Sequence, residues 1–120
     1  KREKAVTREN LGWRLETIVY LELLRRKAGT ENDIYYYQGR SAEADFVVCD
    51  GNKTLAVYQV SYDISNDKTR KREIKGCIAG AKATKCDNLF LITDHESEVI
   101  EEDGYSIQVV PIWEWLTREE

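Results

Sequence analysis

The chain has no methionine, one proline and one histidine among its 120 residues. It also lacks any apolar run near the roughly 18 residues of a membrane-spanning helix, and any signal-peptide pattern. A zinc site is not expected, because His95 stands alone and the three cysteines lack a CxxC spacing. Those cysteines, Cys49, Cys77 and Cys86, are expected to be free and mostly buried thiols in a reducing cytoplasm.

The absence of methionine and the opening letters KREK predict that the chain is the C-terminal part of a longer polypeptide. A chain of this length is expected to form one domain, residues 1–120, with its own core. It contains no GxxxxGK[ST] phosphate loop, so any ATP binding is assigned to the part that would precede Lys1. No local motif places a nucleophile beside His95, which is expected to be exposed.

The charge is unevenly distributed, although the chain as a whole carries a net charge of −4. Residues 67–85 hold seven basic and two acidic side chains, which gives this segment a net charge of +5. Such a segment is either a solvated helix face or a surface that docks nucleic acid. The candidate nucleic-acid-binding residues are Lys68, Arg70, Lys71, Arg72 and Lys75.

Hydrophobic periodicity predicts an α/β (α+β) fold, a mixed central sheet flanked by helices, with the order α-β-β-β-α-β and then β-α. A first helix, residues 8–28, is predicted between the caps Thr7 and Gly29. Its apolar stripe is expected to consist of Leu11, Leu15, Ile18, Val19 and Leu23, and Trp13, Tyr20 and Leu24 are expected to broaden it into a wide apolar face. The next expected elements are a strand at 34–37, a hairpin at 43–63 and a helix at 67–84 that is capped by Ser65 or Asp67. They are followed by a strand at 88–93, an acidic loop at 94–104, a strand at 107–110 and a helix at 112–116 whose two tryptophans are expected to close the core.

The hairpin is the element around which the candidate site is predicted. Asp45 begins its first strand, and Gln59 and Ser61 end the second, so the three side chains should lie close together across the ladder. An acid, an amide and a hydroxyl at one sheet edge suit a present or former metal site. Glu16 lies next to the apolar stripe of the first helix, and is either a hydrogen-bonded acid or a metal-binding or catalytic carboxylate.

Several segments, in this order, resemble a known family. They are Gly12-x-x-x-Glu16-x-x-Val19-Tyr20-x-Glu22-Leu23, Ile34-Tyr35-Tyr36, Glu43-Ala44-Asp45-Phe46, Tyr58-Gln59-Val60-Ser61-Tyr62, Thr69 with Arg72-Glu73, and Val110-Pro111-Ile112-Trp113-Glu114-Trp115-Leu116. With the predicted order of elements, they resemble the PD-(D/E)XK nuclease-like fold, with its restriction-endonuclease-like αβββαβ core. More narrowly, they resemble the C-terminal DUF4143-like domain of bacterial and archaeal AAA-type ATPases.

The resemblance implies a role for each candidate site residue. Glu16 matches the helix acid of the nuclease pattern and Asp45 the strand acid, while Gln59 occupies the position of the second strand acid and Ser61 that of the lysine. In such nucleases the acids hold Mg²⁺, and the lysine orients the attacking water and offsets charge in the transition state. Glutamine brings no charge and serine no ammonium group, so Mg²⁺ binding through Glu16, Asp45 and Gln59 and catalysis are expected to be weak or vestigial. The alternative is that Lys68, Lys71, Arg72 or Lys75 of the second predicted helix supplies the missing charge.

Three functions follow from this reading. The first is a non-catalytic domain that serves an AAA-type ATPase domain of the same chain as an interaction or nucleic-acid-docking module. The second is an active Mg²⁺-dependent DNA or RNA endonuclease. The third is a purely structural domain that forms a homo-oligomer through Trp113, Trp115 and the tyrosines.

Overall fold

The computed structural model describes residues 8–118, apart from the side chains of residues 8 and 9. The elements in this part of the chain are α1 (Arg8–Lys27), β1 (Asn32–Gln38), β2 (Glu43–Asp50), β3 (Lys53–Val60), α2 (Asp67–Thr84), β4 (Leu89–Thr93), β5 (Glu98–Glu102), β6 (Tyr105–Pro111) and α3 (Ile112–Thr117). The predicted α/β class and the αβββαβ order of the first six elements are confirmed. The predicted cap Thr7 lies outside the described residues.

The six strands form one mixed sheet in the order β1-β2-β3-β4-β6-β5. The strands β1, β2 and β3 are antiparallel neighbours, whereas β3, β4 and β6 run parallel. A parallel pair needs a long crossover, and α2 supplies the one between β3 and β4. All five residues of β4 are buried, as expected for a strand covered on both faces.

Helix α1 packs on one face of the sheet through a narrow stripe. Leu15, Val19 and Leu23, spaced four residues apart, are at most 5% exposed and lie in a cluster with Tyr58 and Trp115. The expectation of a broad apolar face is wrong, because Trp13, Ile18 and Tyr20 are exposed. Gly29 adopts a positive φ of 81° just after the helix, in agreement with its predicted capping role.

Helix α2 packs on the other face and approaches the sheet closely. Its N-cap is Asn66, whose side chain accepts a hydrogen bond from the backbone N–H of Thr69, so the prediction of Ser65 or Asp67 is wrong. A Cβ added at Gly76 would meet the backbone oxygen of Glu43 and lie 2.6 Å from Nε2 of Gln59. The small residues therefore permit the close approach that the sequence predicted.

Two expectations for the end of the chain are corrected. The acidic segment 94–104, predicted as a loop, contains the edge strand β5, which pairs antiparallel with β6. Ile100 is the one side chain of β5 that is buried. Because most residues of β5 are charged, the strand has no recognisable hydrophobic pattern in the sequence. The same charges at the sheet edge oppose pairing with a strand of another molecule. Trp115 is 1% exposed and closes the core, but Trp113 is 63% exposed.

The described cysteines and aromatic residues bear on the remaining predictions. All three cysteines are free, with Cys77 and Cys86 buried and Cys49 half-buried, and His95 is exposed.

The buried Trp115 cannot belong to the predicted oligomer interface, whereas Trp113, Tyr35 and Tyr36 are exposed. Self-association itself stays a prediction. No helix within residues 8–118 is long and apolar enough to cross a membrane.

Candidate functional site

A β-bulge sets the direction of Asp45. Tyr35 pairs with Val47 and Tyr37 with Ala44, so the strand β2 contains one more residue than β1 over this stretch. Such a bulge bends the strand and changes the direction of a side chain within it. The paired residues of β2 and β3 that lie farthest from the turn are Phe46 and Tyr58. Beyond this pair, the backbone groups of the two strands need other hydrogen-bond partners.

Side chains replace the missing ladder at this end of the hairpin. The Asp45 carboxyl accepts a hydrogen bond of 2.8 Å from the backbone N–H of Val60. The Gln59 amide bridges the opposite strand, because its Oε1 accepts from the N–H of Asp45 at 2.9 Å and its Nε2 donates to the carbonyl of Glu43 at 3.1 Å. Gln59 therefore stabilises the hairpin, since it satisfies two partly buried backbone groups, and this role does not depend on any part in catalysis.

Three carboxyl groups converge on this hairpin end from three elements. Asp45 of β2 lies within hydrogen-bonding reach of Glu16 of α1, and both interact with Glu73 of α2. Glu73 is only 9% exposed and also lies within reach of the Gln59 amide. The cluster therefore lies at the edge of the sheet, between the two helices that cover its opposite faces.

Burial raises the pKa of Asp45 to about 8, with further contributions from the nearby Glu16 and Glu73, against the opposing effect of the Val60 N–H. Burial also raises the pKa of Glu73, although hydrogen bonds to Gln59 and Arg72 act against this. Carboxyl groups packed this closely cannot all ionise, because a second negative charge in a desolvated site is unfavourable. The cluster consequently holds a proton at neutral pH.

A cleft of about 1210 Å³ lies over the carboxyl cluster. It crosses the end of the sheet from α1 to α2, so its walls come from both helices and the hairpin. Four basic side chains, Arg40, Lys68, Arg72 and Lys75, line the cleft and form what we call its basic border, beside the acidic Glu43 and Asp63. The α1 side of the cleft carries the exposed Trp13. The Arg72 guanidinium lies 3.3 Å from the Glu73 carboxylate and so links the border to the cluster beneath.

The structure brings together the four residues that the resemblance assigned to a catalytic site. Glu16, Asp45, Gln59 and Ser61 all line the cleft. The Ser61 hydroxyl donates to the backbone oxygen of Asp63 at 3.1 Å, so this position presents no cation. Whether these residues act in catalysis stays a prediction.

The five predicted nucleic-acid-binding residues are divided between two surfaces. Lys68, Arg72 and Lys75 line the cleft. Arg70 instead makes a two-bond ion pair with Glu98 of β5, at 2.8 and 3.0 Å, and Lys71 is exposed outside the cleft. Helical geometry accounts for Arg70, which lies roughly 150° around α2 from positions 68, 72 and 75, whereas Lys71 is at the margin of their face.

Sequence reasoning missed three residues of this cleft, Glu73, Trp13 and Arg40. A signal existed for Glu73, since it precedes Cys77 and Ala81 by four and eight residues and therefore continues the buried stripe of α2. Trp13 lies about 200° around the helix from Leu15, which places it away from the sheet. Arg40 lies in the turn between β1 and β2, and no local pattern marks it.

The donor groups of the carboxyl cluster bear on the predicted metal site. Among the residues that the structure describes, no group of three or more His, Cys, Asp or Glu side chains is arranged to hold a metal ion. The oxygen of Gln59 already accepts a hydrogen bond, and Asp45 is positioned to keep its proton. Hard cations such as Mg²⁺ require ionised carboxylates. Metal binding by Glu16, Asp45 and Gln59 stays a prediction.

Two comparisons with known proteins found similarity across most of the chain. The family model described as "Domain of unknown function (DUF4143)" matches residues 11–115. An uncharacterized protein of Methanocaldococcus jannaschii is 34% identical over 113 residues, which cover 89% of this chain and 25% of that protein. The chain thus spans about a quarter of the length of this relative.

Proposed function

The chain belongs to the DUF4143 family, and from this premise we propose that it is a nucleic-acid-docking domain of nuclease-like fold that has lost efficient catalysis. The observation that carries the proposal is the basic border of the cleft, formed by Arg40, Lys68, Arg72 and Lys75. Lysine and arginine side chains around a cleft attract a phosphate backbone even when the whole protein is acidic.

The site beneath this border supports docking without cutting. The position assigned to the lysine of the nuclease pattern is Ser61, whose hydroxyl donates to Asp63. The position assigned to the second strand acid is Gln59, whose amide connects the two strands of the hairpin. Both residues are thus used in local structure, and neither supplies the charge on which nuclease catalysis depends.

In the full-length protein, the domain would serve an AAA-type ATPase domain of the same chain. The resemblance is what implies this context. The relative from M. jannaschii, of which the match covers 25%, supports only the occurrence of a related domain within a longer protein. ATP would bind in that other part, and the present domain would contribute the contact with DNA or another partner.

The docking function is tested by the salt dependence of DNA binding. Replacing both Lys68 and Lys75 with glutamine is expected to weaken binding about tenfold and to reduce the slope of log K against log salt by about 2, because two phosphate contacts are lost. Fluorescence anisotropy of labelled DNA at low and moderate salt measures both quantities.

The matched control replaces Lys85 and Lys53 with glutamine, since both are exposed lysines outside the cleft. This double variant removes the same formal charge and should bind nearly as well as the unchanged protein. An equal loss in both double variants would show that only net charge matters. Binding that is absent at low salt would rule out the docking function altogether.

The second candidate, an Mg²⁺-dependent nuclease, is favoured by one observation: a third carboxyl group, Glu73, joins Glu16 and Asp45 in the cleft. A plasmid-nicking assay with Mg²⁺ or Mn²⁺ separates it from docking. We expect no nicking above that of Asp45→Ala, because Ser61 occupies the position assigned to the lysine of the nuclease pattern. Cutting by the unchanged protein and by Asp50→Ala, an exposed position on the same strand, but not by Asp45→Ala, would instead establish the nuclease.

A further inference from the structure

The exposed indole of Trp13 is unexplained by the fold. Its side chain is 68% exposed, although a tryptophan buries more apolar area than any other residue when it packs in a core. It lies on the face of α1 turned away from the buried stripe of Leu15, Val19 and Leu23, so it adds little to the packing of the helix on the sheet. It does, however, border the cleft.

The cleft thus combines an aromatic surface on one wall with cations on the other. Trp13 and Glu16 come from α1, while Lys68, Arg72 and Lys75 come from α2. A flat aromatic ring beside a basic groove is the combination that binds single-stranded nucleic acid, because phosphates follow the cations while a base stacks on the ring.

We propose that the cleft selects single-stranded nucleic acid and that Trp13 stacks against one of its bases, an inference that rests on the proposed docking function. A duplex keeps its base faces stacked against one another, so they are not available to an indole ring. A single strand can turn one base towards Trp13 while its neighbouring phosphates contact Lys68 and Lys75. The floor of the cleft, formed by Asp45 and Glu73, offers no cation to a phosphate, so the phosphates are expected to stay at the basic border.

The experiment compares a labelled oligothymidine with a duplex of equal length, using the 120-residue chain. The unchanged protein is expected to bind the single strand more tightly. Trp13→Ala should weaken single-strand binding about tenfold or more, the usual loss when a stacked aromatic side chain is truncated, and should leave duplex binding nearly unchanged. Trp13→Phe, which keeps an aromatic face, should recover part of the loss.

Trp113 provides a matched control. It is a tryptophan of similar exposure, 63%, on α3, and it does not line the cleft. Trp113→Ala should bind both probes like the unchanged protein. Because Trp13 is exposed, thermal unfolding of Trp13→Ala should also resemble that of the unchanged protein, so that a binding loss cannot be ascribed to misfolding.

The outcomes separate this inference from the docking function on which it rests. Salt-dependent binding that is equal for Trp13→Ala and the unchanged protein would overturn the stacking role while leaving docking intact. Absence of binding to either probe would remove both proposals. Inorganic polyphosphate, which has no bases, is the last probe: equal sensitivity of its binding to Trp13→Ala would also overturn stacking, and insensitivity would support it.

Discussion

Gly76→Ala is expected to destabilise the domain by roughly 2 kcal/mol or more, even though alanine is the better helix former. The added Cβ would meet the backbone oxygen of Glu43 and the amide of Gln59, 2.6 Å away. Neither group can yield easily, because the Gln59 amide bridges Glu43 and Asp45. Chemical denaturation measures the loss as a lower transition midpoint with an unchanged m-value.

Gly12→Ala is the matched control, because Gly12 is also helical but a Cβ there meets nothing within 4 Å. This variant should gain up to about 1 kcal/mol from helix propensity alone. The same substitution is therefore expected to have opposite signs at the two sites. A neutral or stabilising Gly76→Ala would contradict the close contact between α2 and the hairpin, and with it the geometry of the carboxyl cluster.

Asp45→Asn is expected to make the domain more stable at alkaline pH and to flatten the pH dependence of its stability. The folded-state pKa of Asp45, about 8, lies well above its ordinary value of 3.8. Between these values the folded state binds a proton that the unfolded state releases, so stability is greatest below the lower value and is lost as pH rises through the upper one. Since each pH unit of such a difference corresponds to about 1.4 kcal/mol, the loss amounts to several kcal/mol.

The isosteric amide should avoid that loss, because it is never charged and its oxygen can still accept from the N–H of Val60. Urea unfolding of both proteins near pH 5, 7 and 9 should therefore show a growing advantage of Asp45→Asn. Some slope should remain, since burial also raises the pKa of Glu73. Asp45→Asn/Glu73→Gln should be flatter still.

Glu98→Gln is the control of opposite sign. The ion pair with Arg70 lowers the pKa of Glu98, so its stabilising contribution is present above its ordinary pKa and is lost as pH falls. Compared with the unchanged protein, Glu98→Gln should be slightly less stable at neutral pH and equally stable in acid. Asp45→Asn should instead become more stable than the unchanged protein as the pH rises. An unchanged protein whose stability does not fall between pH 5 and 9 would contradict the buried, protonated state of Asp45.

The sequence was sufficient for the elements whose signals are local. Leu15, Val19 and Leu23 mark α1 by their spacing, and the turn at Gly51 positions the two hairpin strands, so that Asp45 and Gln59 could be predicted to face one another. This proximity needed no knowledge of the rest of the fold, because a tight turn brings the two strands of a hairpin together. The exact register is shifted by one residue between Val48 and Cys49, which the turn does not reveal. The strand β4 was equally clear, since a continuous apolar run predicts burial on both faces.

Only the tertiary structure decided which distant groups share the cleft. Glu73 joins the cluster because α2 approaches the hairpin at Gly76. Arg70, on a different face of α2 from Lys68 and Lys75, forms an ion pair with Glu98 of β5, a partner that the sequence did not reveal. Trp13 looked like core and is exposed, because the sheet covers only a narrow stripe of α1. Periodicity specifies which side of an element is apolar, but the neighbour that covers it and the charges that meet there depend on packing between segments far apart in the chain.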